Sequence, residues 1–184
     1  MPNGKMVTEA IEAHISGGEG PSGERRNISV DEGGRLVLRS SLYVTAQLRA
    51  PYGATSGAFD ANDAVGNMME FDVPKRGRIK SAKFVDQADQ TSALTAHVYS
   101  KPFVAAASDA VYTIADADAV NWVTNITPTM VDEGGSQVAE VVNIDSDYYS
   151  EGGKLYVQLS TTGTPTMPQA TMPLLQLYIL PLGE

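Results

Sequence analysis

The sequence predicts an all-β fold: a jelly-roll-like two-sheet β-sandwich with an extended N-terminal arm. Three observations carry that expectation. Beyond Leu36, apolar residues recur at every second position, the period that sends one face of a strand to a shared core. Prolines and glycine pairs separate these runs at short intervals, as turns separate antiparallel strands. Residues 1 to about 35 lack the period and carry a glycine-rich tract instead.

The arm, residues 1–35, comes first. Met6, Val7, Ala10, Ile11, His14 and Ile15 follow a spacing of four, one face of a short helix. An isolated helix below about 12–15 residues is marginal in water, so this one needs a surface to lie on. Ser16-Gly17-Gly18-Glu19-Gly20-Pro21-Ser22-Gly23 has the composition of a flexible tether. Two readings remain open: an arm that docks elsewhere, and a terminus without fixed structure. In the first, Met6, Val7, Ile11 and Ile15, with Arg25 and Arg26 beyond the tether, are the candidate contacts.

The body, residues 36–184, is read as eight strands. Leu42, Val44, Ala46 and Leu48 alternate with Tyr43, Thr45, Gln47 and Arg49. Leu94, Ala96 and Val98 alternate with Thr95, His97 and Tyr99, and Leu155, Val157 and Leu159 with Tyr156, Gln158 and Ser160. Further strands are expected over 65–73, 78–86, 111–114 and 138–144. The last, Leu174 to Leu180, is apolar on both parities except Gln176, which predicts a central strand covered on both faces. Pro51, Pro74, Pro102, Pro128, Pro165 and Pro168 fall between the runs, where a missing N–H does no harm. Residues 115–122 read as one helical turn. Val-Asp-Glu-Gly-Gly occurs at Val30 and again at Val131, two similar turns rather than a repeat unit.

Charge and composition narrow the function. A formal net charge of -9 argues against nucleic acid as a partner, because phosphate binding relies on Lys and Arg. The absence of cysteine excludes disulfides and thiolate chemistry. No apolar run is long enough to span a bilayer, so no membrane partner is expected. Met1-Pro2-Asn3-Gly4-Lys5 lacks a signal-peptide core, which predicts synthesis in the cytoplasm without secretory export. The one basic stretch, Lys75-Arg76-Gly77-Arg78-Ile79-Lys80-Ser81-Ala82-Lys83, is either a solvated strand start or a dock for an acidic surface. Lys75, Arg76 and Arg78 are its interface candidates.

Chemistry has few carriers. Two histidines, His14 and His97, cannot build the multi-histidine site of a jelly-roll metalloenzyme. No nucleophile turn accompanies His97, which reads as a hydrogen-bonded strand residue. Asp116/Asp118 and Asp145/Asp147 have the spacing that opens a calcium loop, but neither continues with EF-hand ligands. No cofactor is expected, and the chain reads as non-enzymatic. Tyr43, Tyr99, Tyr156 and Tyr178 fall on the parity opposite the apolar set, which predicts outward rings suited to a protein partner or a sugar. Of these, Tyr43, Tyr99 and Tyr156 are the interface candidates.

A resemblance adds to this reading. Phe59-Asp60-Ala61-Asn62-Asp63-Ala64-Val65-Gly66 resembles the aromatic-x-x-x-Asp-x-apolar-Gly lead-in to the first body strand of tailed-bacteriophage head decoration (capsid cement) proteins. Gly77 to Gln90 is similar to their Gly-x-Ile-x-Ser strand, which ends in Asp and a polar turn. Leu94–Pro102, Ile114–Asp118 with Trp122, and Gly163-Thr164-Pro165-Thr166 resemble later segments in the same order, over residues 55 to 180. The resemblance implies a non-enzymatic β-sandwich on the outer capsid surface of a virion, often trimeric, with the major capsid protein as partner. The expected function is therefore capsid stabilisation by a homo-oligomer, with a trimer favoured. The alternative from another class is a carbohydrate-binding module exposed on a phage surface.

Overall fold

The structure, a computed structural model, describes residues 29–30, 36–37, 42–53, 58–90 and 94–182. The chain divides into two units, 1–39 and 40–184. The described part of the first is one antiparallel ladder, β1 (Ser29–Val30) against β2 (Leu36–Val37). The helix expected around Met6, Val7, Ile11 and Ile15, the tether, and Arg25 and Arg26 lie outside the described residues.

In the second unit, alternation becomes burial. Its strands are β3 (Tyr43–Val44), β4 (Leu48–Arg49), β5 (Ala64–Asp72), β6 (Arg76–Asp86), β7 (Leu94–Tyr99), β8 (Trp122–Ile126), β9 (Val131–Asp132), β10 (Gln137–Tyr149), β11 (Lys154–Thr161) and β12 (Leu174–Pro181). One sheet runs β3-β12-β6-β10-β9, with β4 also on β12; the other runs β5-β11-β7-β8. Every ladder is antiparallel. Between the sheets lie Met69, Phe71, Ile79, Phe84, Leu94, Val98, Leu155, Val157, Leu159, Leu175, Leu177 and Ile179, all buried.

The topology is that of a jelly roll. With β3 and β4 taken as one interrupted strand and the two-residue β9 set aside, eight strands remain. In chain order they stand 1-8-3-6 in one sheet and 2-7-4-5 in the other. First therefore pairs with last, second with seventh, third with sixth and fourth with fifth, a nested arrangement. Most pairings join residues distant in sequence, so much of the chain must be gathered before the core closes.

Three sequence expectations are corrected. The first concerns residues 42–48, which are not one strand. Tyr43 stands opposite Ile179 and Leu48 opposite Leu175. Directly opposed residues share a face, so both Tyr43 and Leu48 point to the core side, although five positions separate them. The extra residue is absorbed around Thr45, whose N–H donates to Leu177 O (3.0 Å) and whose Oγ1 accepts the Leu177 N–H (2.9 Å). Parity flips there, and Val44 rather than Tyr43 faces outward with Tyr178.

The second correction concerns the fifth strand. Residues 111–114 make only an isolated bridge, Asp63 to Val111, and the strand itself is β8, about ten residues later. As an edge strand, β8 buries only Ile126, so it shows no alternation to read. The expected helical turn is present just before it as α1 (Asp116–Ala119). The third correction concerns β12. It is central within its sheet, but Leu174, Gln176, Tyr178 and Leu180 on its outer side are only half-buried.

Gly66 shows why the start of β5 needs a glycine. Its φ is +75°, and a Cβ there would sit 2.7 Å from Pro51 O. The close approach lets Asn67 N–H donate to that same carbonyl at 2.8 Å. Gly66→Ala is expected to destabilise the body by about 2–3 kcal/mol, from left-handed strain plus displacement of residues 50–51. Urea unfolding followed by tryptophan fluorescence measures this, and an unchanged midpoint would refute the account.

Candidate interaction surfaces

The two outer faces of the sandwich are built differently. The β5-β11-β7-β8 face is covered by the connection from β7 to β8. Gln158 holds that cover in place. It is fully buried, its Nε2 donates to Gly66 O (3.1 Å) and Ala106 O (2.7 Å), and its Oε1 accepts the Ala106 N–H (3.1 Å). Ser108 Oγ accepts the Gly66 N–H at 3.1 Å. One amide thereby joins β11, β5 and the connection, leaving no buried donor or acceptor of its own unmade.

Aromatic rings complete the cover. Tyr112 stacks on His97, with centroids 3.9 Å apart and planes 12° from parallel. Tyr112 and Tyr99 share a hydroxyl–hydroxyl hydrogen bond of 2.8 Å, and Phe103 tilts against Tyr99 at 4.4 Å. Burial, reinforced by the Tyr99 contact, pushes the Tyr112 hydroxyl far above the usual phenol range. The expectation that Tyr99 contacts a partner is corrected by this packing. Tyr99 does lie on the outward parity, but only 3% of it is exposed, because its own chain folds back over it.

His97 is the hydrogen-bonded strand residue the sequence predicts. Its Nδ1 lies 3.0 Å from Asn125 Oδ1 and its Nε2 lies 2.8 Å from Ser160 Oγ. Trp122 Nε1–H, which can only donate, also meets Asn125 Oδ1 at 3.0 Å. That fixes the Asn125 oxygen as acceptor, places the imidazole proton on Nδ1, and leaves Nε2 to accept from Ser160. Burial holds His97 below its ordinary value, opposed by the Asn125 hydrogen bond.

The outer face of the β3-β12-β6-β10 sheet carries half-exposed or exposed side chains instead. Across it, Val44, Tyr178, Ser81 and Val142 form one row, and Leu180, Arg78 and Asp147 another. Leu174, Val85 and Val138 form a third. The basic stretch lies along this face, but it is not a free cationic strip. Arg78 makes two hydrogen bonds to Asp147 (2.5 and 3.0 Å), and Lys80 pairs with Asp145. Arg76 lies over the exposed Tyr149 ring, 5.7 Å from its centroid. Lys75 is exposed in the turn before β6. The acidic pair Asp145/Asp147 thus serves as counter-ions across the ladder, and Asp118 accepts the Val104 N–H at 3.3 Å. Among the described residues no group of three or more His, Asp or Glu stands close enough to hold a metal ion.

The four tyrosines do not gather on one face. Tyr43 and Tyr178 belong to one sheet, Tyr99 and Tyr156 to the other. Tyr43 lines a shallow cavity of about 140 Å³ at the sandwich margin with Leu48, Glu70 and Phe71, and Tyr156 lines a larger one of about 310 Å³. Sequence reasoning missed Gln158, Ser108 and Tyr112. Gln158 alone left a signal, as a polar residue between Val157 and Leu159 in a strand otherwise built for burial.

The segments that resemble decoration proteins occupy strand boundaries. Asp63 Oδ2 accepts the Asp60 N–H (2.7 Å), and Asp86 accepts the N–H groups of Ala88 (2.8 Å) and Gln90 (3.1 Å). Phe59 N–H donates to Pro165 O at 2.9 Å, linking two of these segments. Such cap and turn chemistry suits any strand end. Comparison with protein-family models, with curated proteins and with solved structures finds no match.

The His97 geometry makes stability depend on pH. Its native pKa is lowered, so below about pH 6.5 the unfolded chain takes up a proton that the native one does not. Stability contributed by neutral His97 is complete above that pH and is lost as pH falls toward the native value. Buried Asp86, whose carboxyl is raised by burial against the two N–H donors, acts in the opposite sense. The difference between wild type and His97→Asn isolates the histidine. The wild-type urea midpoint is expected to fall more steeply between pH 7.5 and 5.5 than that of the variant, and equal slopes would refute the assignment.

Proposed function

We propose that the chain is a structural protein of a phage virion that binds the outer surface of an assembled capsid and stabilises it by bridging capsid subunits. The observation that carries this reading is the contrast between the two faces. One is sealed by the chain's own connection, while the other is an uncovered sheet face on which apolar and aromatic side chains share the surface with charged ones, Arg78 and Lys80 paired with Asp147 and Asp145 and Lys83 set opposite Glu140. The apolar and aromatic rows, with Arg78 among them, suit protein contact, where aromatic residues and Arg are enriched. Jelly rolls serve widely in viral capsids and lectins, and the ordered resemblance along residues 55 to 180 points to the first use.

Bridging is a matter of repetition. Many weak contacts on a regular lattice hold through effective concentration without any single tight site. A homo-oligomer, with a trimer favoured, would multiply them, and the major capsid protein is the partner. The acidic balance of the chain keeps it off the packaged DNA. In this reading residues 1–24 are a second point of attachment.

Three variants test the proposal in co-sedimentation with purified phage heads. Val44→Asp and Val142→Asp place a charge on the exposed row without touching the core. Together they are expected to weaken binding at least tenfold with the unfolding midpoint unchanged. Removal of residues 1–24 is expected to weaken binding while residues 40–184 keep their stability. Heads decorated equally well by all three proteins would end the proposal.

A further inference from the structure

The basin beside Tyr156 belongs to neither face-wide feature. It is a surface cavity of about 310 Å³ lined by Ser100, Lys101, Pro102, Ser150, Glu151, Gly152 and Tyr156. That is the lower end of ligand-pocket sizes, roughly 300–1,000 Å³, room for one small ring. We propose that it binds a single neutral pyranose unit of a glycan, with Tyr156 as the stacking platform and Lys101 and Glu151 as the hydroxyl-reading groups. The capsid reading is not required for this.

The walls are held before any ligand arrives. One is the turn after β7, where Ser100 donates its N–H (2.9 Å) and hydroxyl (3.2 Å) to Asn121 O. The other is the turn from β10 to β11. There Ser150 N–H donates to Lys75 O (2.7 Å), its hydroxyl donates to Lys154 O (2.6 Å), and its Oγ accepts the Lys154 N–H (3.0 Å). Both serines are therefore spent on the scaffold. Tyr156 is half-buried, with the buried Tyr99 beside it in register on β7 and Glu70 on the other side. A ring so flanked gives up little freedom on binding.

Charge selects the ligand class. Lys101 and Glu151 are both exposed, one on each wall, and among the described residues neither enters an ion pair within 4 Å. An anion would be drawn to one and repelled by the other, and a cation likewise. A neutral polyol satisfies both, because its hydroxyls donate to the carboxylate and accept from the ammonium. The apolar C–H face of a pyranose then lies on the Tyr156 ring. Gly152 contributes no side chain to the lining. One ring in a shallow site implies a dissociation constant on the order of millimolar, raised to useful avidity only on a repeated array.

The test is saturation-transfer difference NMR on the full chain. The probes are the methyl glycosides of glucose, galactose, mannose and N-acetylglucosamine, each at about 10 mM, several times the expected constant. Transfer to the ring protons of at least one glycoside is expected. It should vanish in Tyr156→Ala, persist in Tyr156→Phe, and weaken about tenfold in the Lys101→Ala/Glu151→Ala double variant. No transfer from any of the four would overturn the proposal, as would transfer that survives in folded Tyr156→Ala. Should that variant not fold, the double variant decides, since both its side chains are exposed and unchanged binding there also overturns the site. The double variant is expected to sediment with phage heads like wild type, so the failure of this site and of the capsid reading are separable.

Discussion

Gln158 carries an unusual share of the fold. It projects from the outward side of β11, where a polar side chain ordinarily meets water, yet it is completely buried. Burying an amide without partners costs several kcal/mol, and here three hydrogen bonds to Gly66 and Ala106 offset that cost. Each of those partners is itself constrained. Gly66 sits in the left-handed region against Pro51, and Ala106 belongs to the connection that carries Phe103, Ser108 and Tyr112 over the sheet. Removing the amide would strand the buried Gly66 carbonyl on the strand and take its donor from the half-buried Ala106 carbonyl on the connection. The cover and the sheet are therefore one cooperative unit, and what remains available to a partner is decided by where that cover ends.

The body was largely legible in the sequence wherever one face of a strand is dry and the other wet. β6, β7, β11 and β12 all show the period-two pattern, and their inward residues are the core. Legibility failed where a second constraint overrode the period. Around Thr45 one extra residue in the ladder inverts the parity of Tyr43 relative to Leu48, which no count of apolar positions reveals. β8 lies at a sheet edge and buries one side chain, so its pattern carries no signal. Tyr99 obeys the parity rule and is buried all the same, because the covering connection adds a third layer. Alternation distinguishes core side from outer side; it does not say whether the outer side stays wet.

The same limit applies to charge. As a string, Lys75 to Lys83 reads as a cationic patch. In the fold, the acidic tail of β10 runs antiparallel beside it, and the register sets Arg78 against Asp147. The ladder irregularity between Val142 and Ser146, with Asn143 and Asp145 at positive φ, carries Asp145 into reach of Lys80. Exposed pairs of this kind contribute little to stability. Their consequence is for recognition: they cancel a field that would otherwise attract any polyanion, DNA included.

The edges of the sheets extend this argument. β9 covers β10 only at Gln137 and Val138, so the rest of that 13-residue strand has no ladder partner on its free side among the described residues. Unpaired edges invite indiscriminate strand addition. β10 carries two of the usual deterrents, a local irregularity with left-handed residues and the carboxylates of Glu140, Asp145 and Asp147. A protein gathered at high local concentration on a lattice needs such deterrents more than a dilute one does. On the capsid reading proposed above, chance encounters between neighbouring copies would otherwise compete with the contact to the capsid. Blunted edges, cancelled charges and one sealed face all reduce the number of ways two copies can meet, leaving the open sheet face as the surface with the most to gain from being covered.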